Sequence, residues 1–351
     1  MKIFQAMRSI TLVAAAALVA PTGLAQAVTA APSAAVTRCA RNPTTPAGWQ
    51  ALFRQLPRAG DGALSTLLPD GRIAWIFGDT ARLDSHDFIH NMVVFTCGTQ
   101  IQQLGTAEAI PNQADGSYYW GGPAVVDGGK LYMMAPHVKA SDSWPYFAAL
   151  GTDMASFNVG TAVTPAFTGF APTPSTGRAG GVQWGTGVMA TGGYVYIYGA
   201  YLPAGAWGYS VRVARVPSGH LATMSAWRFW DGHSWGTSEP AATDIISSSV
   251  DGTDSAFSVQ LEGGKVVITT KRGGAFSADV GQFVSAQPTG PFTWTPRANV
   301  PTTELLHTYL AADHPETGLR LITVNQQPQG RAWPDDVWAN PDDYRPLWLG
   351  Y

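Results

Sequence analysis

The sequence predicts an all-β fold, a five-bladed β-propeller of four-stranded antiparallel blades, and three observations carry that expectation. Five segments read as strand, glycine turn, strand: 63–79, 122–137, 187–201, 257–272 and 308–325. Their turn glycines, Gly71, Gly129, Gly193, Gly264 and Gly318, recur about every 60 residues, the length of a four-stranded blade. The 351 residues include 39 Gly and 25 Pro, with 11% aromatic and only 13% charged residues, which is too apolar for disorder and shows no heptads. Coiled coils and helical bundles are thereby excluded.

Each hairpin places D-G, G-G or T-G between runs of β-branched and aromatic residues, where glycine supplies the positive φ a tight turn needs. A β-sandwich would not require five similar hairpins at near-even spacing. The tail from Tyr344 to Leu349 reads as a last strand closing the ring, and 163–181 and 326–343, rich in Pro, Gly and Asp, read as loops.

Ahead of the repeat, Lys2 and Arg8 precede a short apolar run at 10–19, and Ala25-Gln26-Ala27 offers a cleavage site. That pattern is a secretory signal peptide over 1–27, since a membrane span needs about 20 apolar residues. The expected organisation is signal peptide 1–27, N-terminal arm 28–60 and propeller 61–351, in a secreted or cell-envelope protein acting as a monomer, with no membrane span. Cys39 and Cys97 are an even pair in an exported chain, and a disulfide between them is expected to clamp the arm to the first sheet. A net charge of −3 argues against nucleic-acid binding, which requires a basic surface.

Aligning the hairpins by their glycines predicts the site. Counting back from each turn reaches Asp61, Tyr119 or Trp120, Gln183 or Trp184, Asp254, and His307 or Thr308; counting forward reaches Asp79, His137, Tyr201, Arg272, and Asn325 or Gln326. Antiparallel pairing brings both sets to one end of the hairpins, so they are expected to share an axial mouth as substrate-binding residues. Asp61 and Asp79 stand at the same end of one hairpin. Glycoside hydrolysis uses such a pair, one carboxyl protonating the leaving oxygen and the other attacking or activating water. Trp120, Trp184 and Tyr201 are candidates to stack on sugar rings. Asp70 and Asp127 read as turn residues, and Glu239 and Asp231 as surface-loop acids. Lipase-type elbows, zinc helices and phosphate loops are absent, and 251–254 lacks the spacing of a calcium loop. No cofactor is expected; an axial calcium stays open as an alternative that the sequence does not argue for.

Gly60-Asp61-Gly62 followed by L-P-D-G-R-I-A-W-I-F-G-D-T at 68–80 resembles the opening of the secreted bacterial propeller family catalogued as domain of unknown function 4185. The likeness continues through His90-Asn91, 118–132, 213–217, 227–232, 290–292, 313–316 and 344–346. What the resemblance implies is a five-bladed propeller with an acidic axial pocket and endo-D-arabinanase-type chemistry, with Asp61 and Asp79 catalytic and Asn91 and His307 in support. The leading expectation is a secreted hydrolase of a cell-wall or extracellular polysaccharide. The alternative is a carbohydrate-binding propeller without turnover, which the concentration of acids in the first hairpin disfavours. A sialidase-like enzyme is weakened by the absence of an S-x-D-x-G-x-x-W box.

Overall fold

The computed structural model describes residue 39 and residues 41–351, apart from 104–106, 143–146, 160–164, 179, 304–305 and 329–334. The expected signal peptide lies outside the described residues, as does the arm from 28 to 38.

The chain is all-β, and each of the five expected hairpins opens its own antiparallel sheet. The first sheet orders Leu64–Leu67, Ile73–Phe77, Met92–Cys97 and Gln100–Gln103. In the second, Lys130–Ala140 pairs with both Ser117–Tyr119 and Ala124–Asp127, and Phe147–Asn158 and Ala166–Pro172 follow outward. The third runs from Gln183–Thr191 through Tyr194–Tyr201, Ser210–Pro217 and Arg228–Trp230 to Trp235–Gly236. The fourth orders Ser258–Glu262, Lys265–Lys271, Asp279–Ser285 and Thr293–Asn299, and the fifth Leu306–Asp313, Leu321–Pro328 and Leu347–Gly350. All five predicted turn glycines have positive φ, from 76° to 87°.

Three expectations need correction. Among the described residues, four strands hold only for the first and fourth sheets; the second and third have five and the fifth has three. The second gains a strand because its inner edge is broken at Gly121-Gly122-Pro123, where proline offers no N–H. The supposed loops contain structure: Ala166–Pro172 is a strand whose Phe167 packs on the second sheet, and Asp335–Ala339 is a helix anchored by buried Val337. Composition misled there because one buried apolar residue per turn suffices to hold a polar segment. In the tail, Tyr344 ends a 3-10 turn, Pro341–Tyr344, and only Leu347–Gly350 is strand.

Alternation along the strands sends successive side chains to opposite faces, and the inner strands bury apolar residues on both. Ile76 and Val93 of the first sheet meet Leu131, Met133 and Phe157 of the second. Met134 and Met154 then meet Val195 and Ile197 of the third, and Tyr198 and Val213 meet Ile268 and Phe283 of the fourth. Val280 packs with Ile322 and Val324 of the fifth. Trp75 and Phe77 return to the start, packed with Leu321, Trp348 and Trp49 of the helix Pro46–Phe53. The first strand of each sheet also lies beside that of the next, and the turn Pro315–Thr317 reaches Leu64–Leu67. Between these inner strands is a cavity of about 390 Å³. The disulfide Cys39–Cys97 is present, with its Cα atoms 4.6 Å apart. Among the described residues no helix is long and apolar enough to cross a membrane.

Candidate functional site

The first hairpin continues past its sheet into a small three-stranded one, where Arg58–Gly60 pairs with Thr80–Arg82 and the latter with Asp87–Ile89. Gly60 pairs with Thr80 and Leu64 with Ile76, so Asp61 falls opposite Asp79 in a single register. The backbone ties them directly: Asp61 N–H donates to Asp79 O at 3.2 Å, and Gly78 N–H to Asp61 O at 2.9 Å. Glycine is required here by space as well as by φ. A Cβ on Gly78 would stand 2.5 Å from Asp61 Oδ1, and Gly62 has φ +96° with the backbone of 76–78 about its α-carbon. Ala63, next in line, also has positive φ, 50°, a conformation held only where its surroundings enforce it.

The two carboxyls meet different surroundings. Tyr309 O–H donates to Asp61 Oδ2 at 2.8 Å, and the Tyr344 hydroxyl also hydrogen-bonds Asp61. Asp79 is about a third exposed, at 32%. Its Oδ1 accepts from Trp120 Nε1–H at 3.0 Å and lies 2.9 Å from His90 Nδ1. Burial, reinforced by the negative charge of Asp79, raises Asp61 from 3.8 to about 7 against the opposing pull of the tyrosine hydroxyls. One acid thus keeps its proton near neutrality while its neighbour accepts from the Trp120 N–H beside the His90 ring.

That shift carries a stability consequence. Asp61 binds its proton more tightly folded than unfolded, so its contribution is full at acid pH and is lost as pH rises from about 4 through about 7. Asp61→Asn has no charge to bury. Its melting temperature is expected to rise relative to the native protein between pH 5 and pH 8, by a free-energy difference on the order of 2 kcal/mol. Parallel melting curves across that range would contradict it.

The other sequence-predicted residues divide. Trp120 joins the acids, with its ring edge-on to Phe147. His307 stacks on Tyr309 at 5.4 Å and so joins them at one remove; burial, then the nearby Lys271 charge, lowers its pKa. Asn325 lies opposite Tyr309 in register, 1% exposed, and neither atom of its amide finds a partner among the described residues. Asp254 is fully buried and accepts from Leu310 N–H at 2.9 Å and from Ser255. Leu310 sits at a register break with φ 43°, so Asp254 fixes the bulge that aims Tyr309. Asn91, also fully buried, joins Ile110 to the Tyr119 carbonyl, and thereby positions the strand leading to Trp120.

Four more stand elsewhere. Trp184 is 0% exposed in the core between the second and third sheets, its N–H donating to Glu239 at 3.1 Å, so it offers no face to a ligand in this structure. His137 stacks on Tyr119 and lies 2.8 Å from Ser117 Oγ. The Tyr201 hydroxyl donates to Asp244, and its ring lies under Arg212. Arg272 pairs with Asp251. Among the described residues no group of three or more His, Cys, Asp or Glu is placed to hold a metal.

Sequence reasoning missed Tyr309, Tyr344 and His90 as site residues. His90 stood beside Asn91 in a recognised motif and stacks on Tyr118 at 3.6 Å. Tyr309 lay one position beyond the counted pair, displaced by the bulge.

A family model described as "Domain of unknown function (DUF5005)" matches residues 49–349. The expected family 4185 is corrected by that match: glycine- and aspartate-rich hairpin motifs are dictated by turn chemistry and discriminate poorly between families. No curated protein matches the chain. Among solved structures, the fold is similar to that of a Bacteroides ovatus ATCC 8483 protein provisionally described as a hydrolase, with TM-score 0.67 and 21% identity over 86% of this chain and 88% of that one. A GH43_1 enzyme from Xanthomonas citri complexed with xylose gives TM-score 0.44 and 17% identity over 79% and 87%. CoXyl43, a GH43 β-xylosidase/α-arabinofuranosidase from a compost microbial metagenome, gives 0.48 and 12% over 85% and 91%. With the family match running from Trp49 of the first described helix into the last strand, the chain belongs to the family described as domain of unknown function DUF5005.

Proposed function

We propose that the five sheets are the blades of one β-propeller, and that the protein is an exported glycoside hydrolase acting on a polysaccharide through Asp61 and Asp79. The observation that carries this reading is the split environment of two neighbouring acids: Asp61 held by two tyrosine hydroxyls and raised to about 7, Asp79 a third exposed, accepting from Trp120 N–H and lying beside His90. Environments that push a carboxyl pair apart are how one fold supplies both an acid and a base.

In the reaction, protonated Asp61 gives its proton to the glycosidic oxygen as the bond to the anomeric carbon breaks. Asp79 either attacks that carbon or takes a proton from the water that does. Tyr309 and Tyr344 hold the Asp61 carboxyl in place, and Trp120 and His90 hold Asp79. Activity should fall on the alkaline side with an apparent pKa near 7, as Asp61 loses its proton.

The test is incubation with linear arabinan, arabinoxylan, galactan and glucomannan, following new reducing ends and soluble oligosaccharides. Release from at least one, linear arabinan first, is expected. Binding without release would favour the second reading, a carbohydrate-binding propeller; neither binding nor release would remove both.

A further inference from the structure

Two of the most exposed large apolar side chains, Trp207 at 79% and Phe276 at 65%, stand next to each other. Their rings meet edge to face at 6.3 Å. They do not stand alone. Phe276 is 5.1 Å from His307, His307 stacks on Tyr309 at 5.4 Å, and Tyr309 O–H donates to Asp61 at 2.8 Å. A row of four rings therefore leads from an exposed edge to the Asp61 carboxyl. Beside its outer end is a cavity of about 270 Å³, lined by Trp207, Phe276, Ser277 and Arg272.

The loops that carry the outer rings are fastened to one another. Gly273 N–H donates to Gly252 O at 3.2 Å, and Tyr209 and Thr253 exchange two backbone hydrogen bonds of 2.9 Å. The packing leaves no room for a side chain: a Cβ on Gly274 would stand 2.5 Å from Trp207 O, and one on Gly208 would stand 3.2 Å from Gly252 Cα. The ion pair of Arg272 with Asp251 ties the same loops on their polar side. Two exposed aromatic rings on a backbone packed this tightly are presented rather than left over, because the ordering that a binding surface requires is already complete.

We propose that Trp207 and Phe276 form a distal subsite that binds a polysaccharide chain beyond the bond being cleaved, a proposal that rests on the glycosidase reading above. A sugar ring offers one face of C–H groups and a rim of hydroxyls. The aromatic faces take the former, and Arg272 and Ser277 are placed for the latter. Three ring-to-ring steps of 6.3, 5.1 and 5.4 Å lead from Trp207 to Tyr309, so the ligand class that this subsite would take is a polymer or an oligosaccharide of several units.

The test separates binding from turnover. Affinity gel electrophoresis of Asp61→Asn against linear arabinan, arabinoxylan, galactan and glucomannan is expected to show retardation by at least one. In the same background, Trp207→Ala with Phe276→Ala should weaken that binding at least about tenfold, with an unchanged melting temperature because both side chains are exposed. Trp207→Phe, which keeps a ring, should retain most of the binding. Equal retardation with and without the two rings, or retardation by none of the four polysaccharides, overturns the subsite. Ring-dependent binding with no hydrolysis by the native protein upholds the subsite while removing the glycosidase reading, so the two failures are distinguishable.

Discussion

On the proposed glycosidase reading, Asp61→Asn and Asp79→Asn are each expected to lower kcat on a polysaccharide substrate by about 10²–10⁴-fold, with little change in KM. A carboxamide preserves the shape that fits above Gly78 and can still accept from Tyr309, but it has no acidic proton to give. At Asp79 the amide keeps an oxygen for the Trp120 N–H but is neither a nucleophile nor a base. The two variants should also differ. Asp79→Asn removes the charge that helps hold Asp61 near 7, so the alkaline limb of its residual activity should move to lower pH. Asp61→Asn should lose that limb. Asp70→Asn, whose carboxylate only clasps Arg72 in the turn at the far end of the hairpin, is the control and should stay near native rate. Native rates in both site variants would place the chemistry elsewhere.

A second large effect is expected at Gly121, one residue after Trp120. A Cβ there would stand 2.2 Å from Phe77 O and 2.7 Å from Ile76 Cγ2, so Gly121→Ala drives the second sheet against the backbone of the first. Neither neighbour can retreat, since Ile76 and Phe77 are buried strand residues on either side of the first sheet. The expected cost is roughly 3 kcal/mol or more, read as a lower urea midpoint. Any relief must move Trp120, whose indole N–H lies 3.0 Å from Asp79. Activity should therefore fall more than the loss of folded protein explains. An unchanged midpoint with native kcat would show that the two sheets are less closely opposed than described.

The hairpins could be read from the sequence because turn chemistry is local: Asp-Gly or Gly-Gly between β-branched runs has few alternatives to a tight reversal. Counting from the turn also brought Asp61 and Asp79 to the same end of the hairpin, since antiparallel register follows from the turn. What counting could not decide is which side of a strand a residue occupies. Asp254 stands where it reaches the bulge beside Tyr309 yet is wholly buried, and Trp184 is wholly buried between the second and third sheets. The partners of Asp61 were harder still. Tyr309 lies 248 residues away and reaches it through a bulge, and Tyr344 reaches it from a 3-10 turn where a strand was expected. No local pattern encodes contacts of that range. The boundary at residue 61 had the same weakness: the helix Pro46–Phe53 and the strand Arg58–Gly60 precede it and pack on the sheets that follow.

Trp49 and Trp348 stack at 6.3 Å, with Trp75 in contact with both. This cluster joins the earliest described helix, the first sheet and the last strand. A ribosome delivers these parts in sequence, so the first sheet must wait, with one face covered only by the helix before it, until about 245 further residues have emerged. The segment that covers that face also carries Tyr344 to Asp61. The acid therefore acquires its full surroundings only when the cycle of sheets has closed, and a chain interrupted before residue 344 would have both aspartates but not the environment that sets them apart. Competence of the site is in this way a report on completion of the fold.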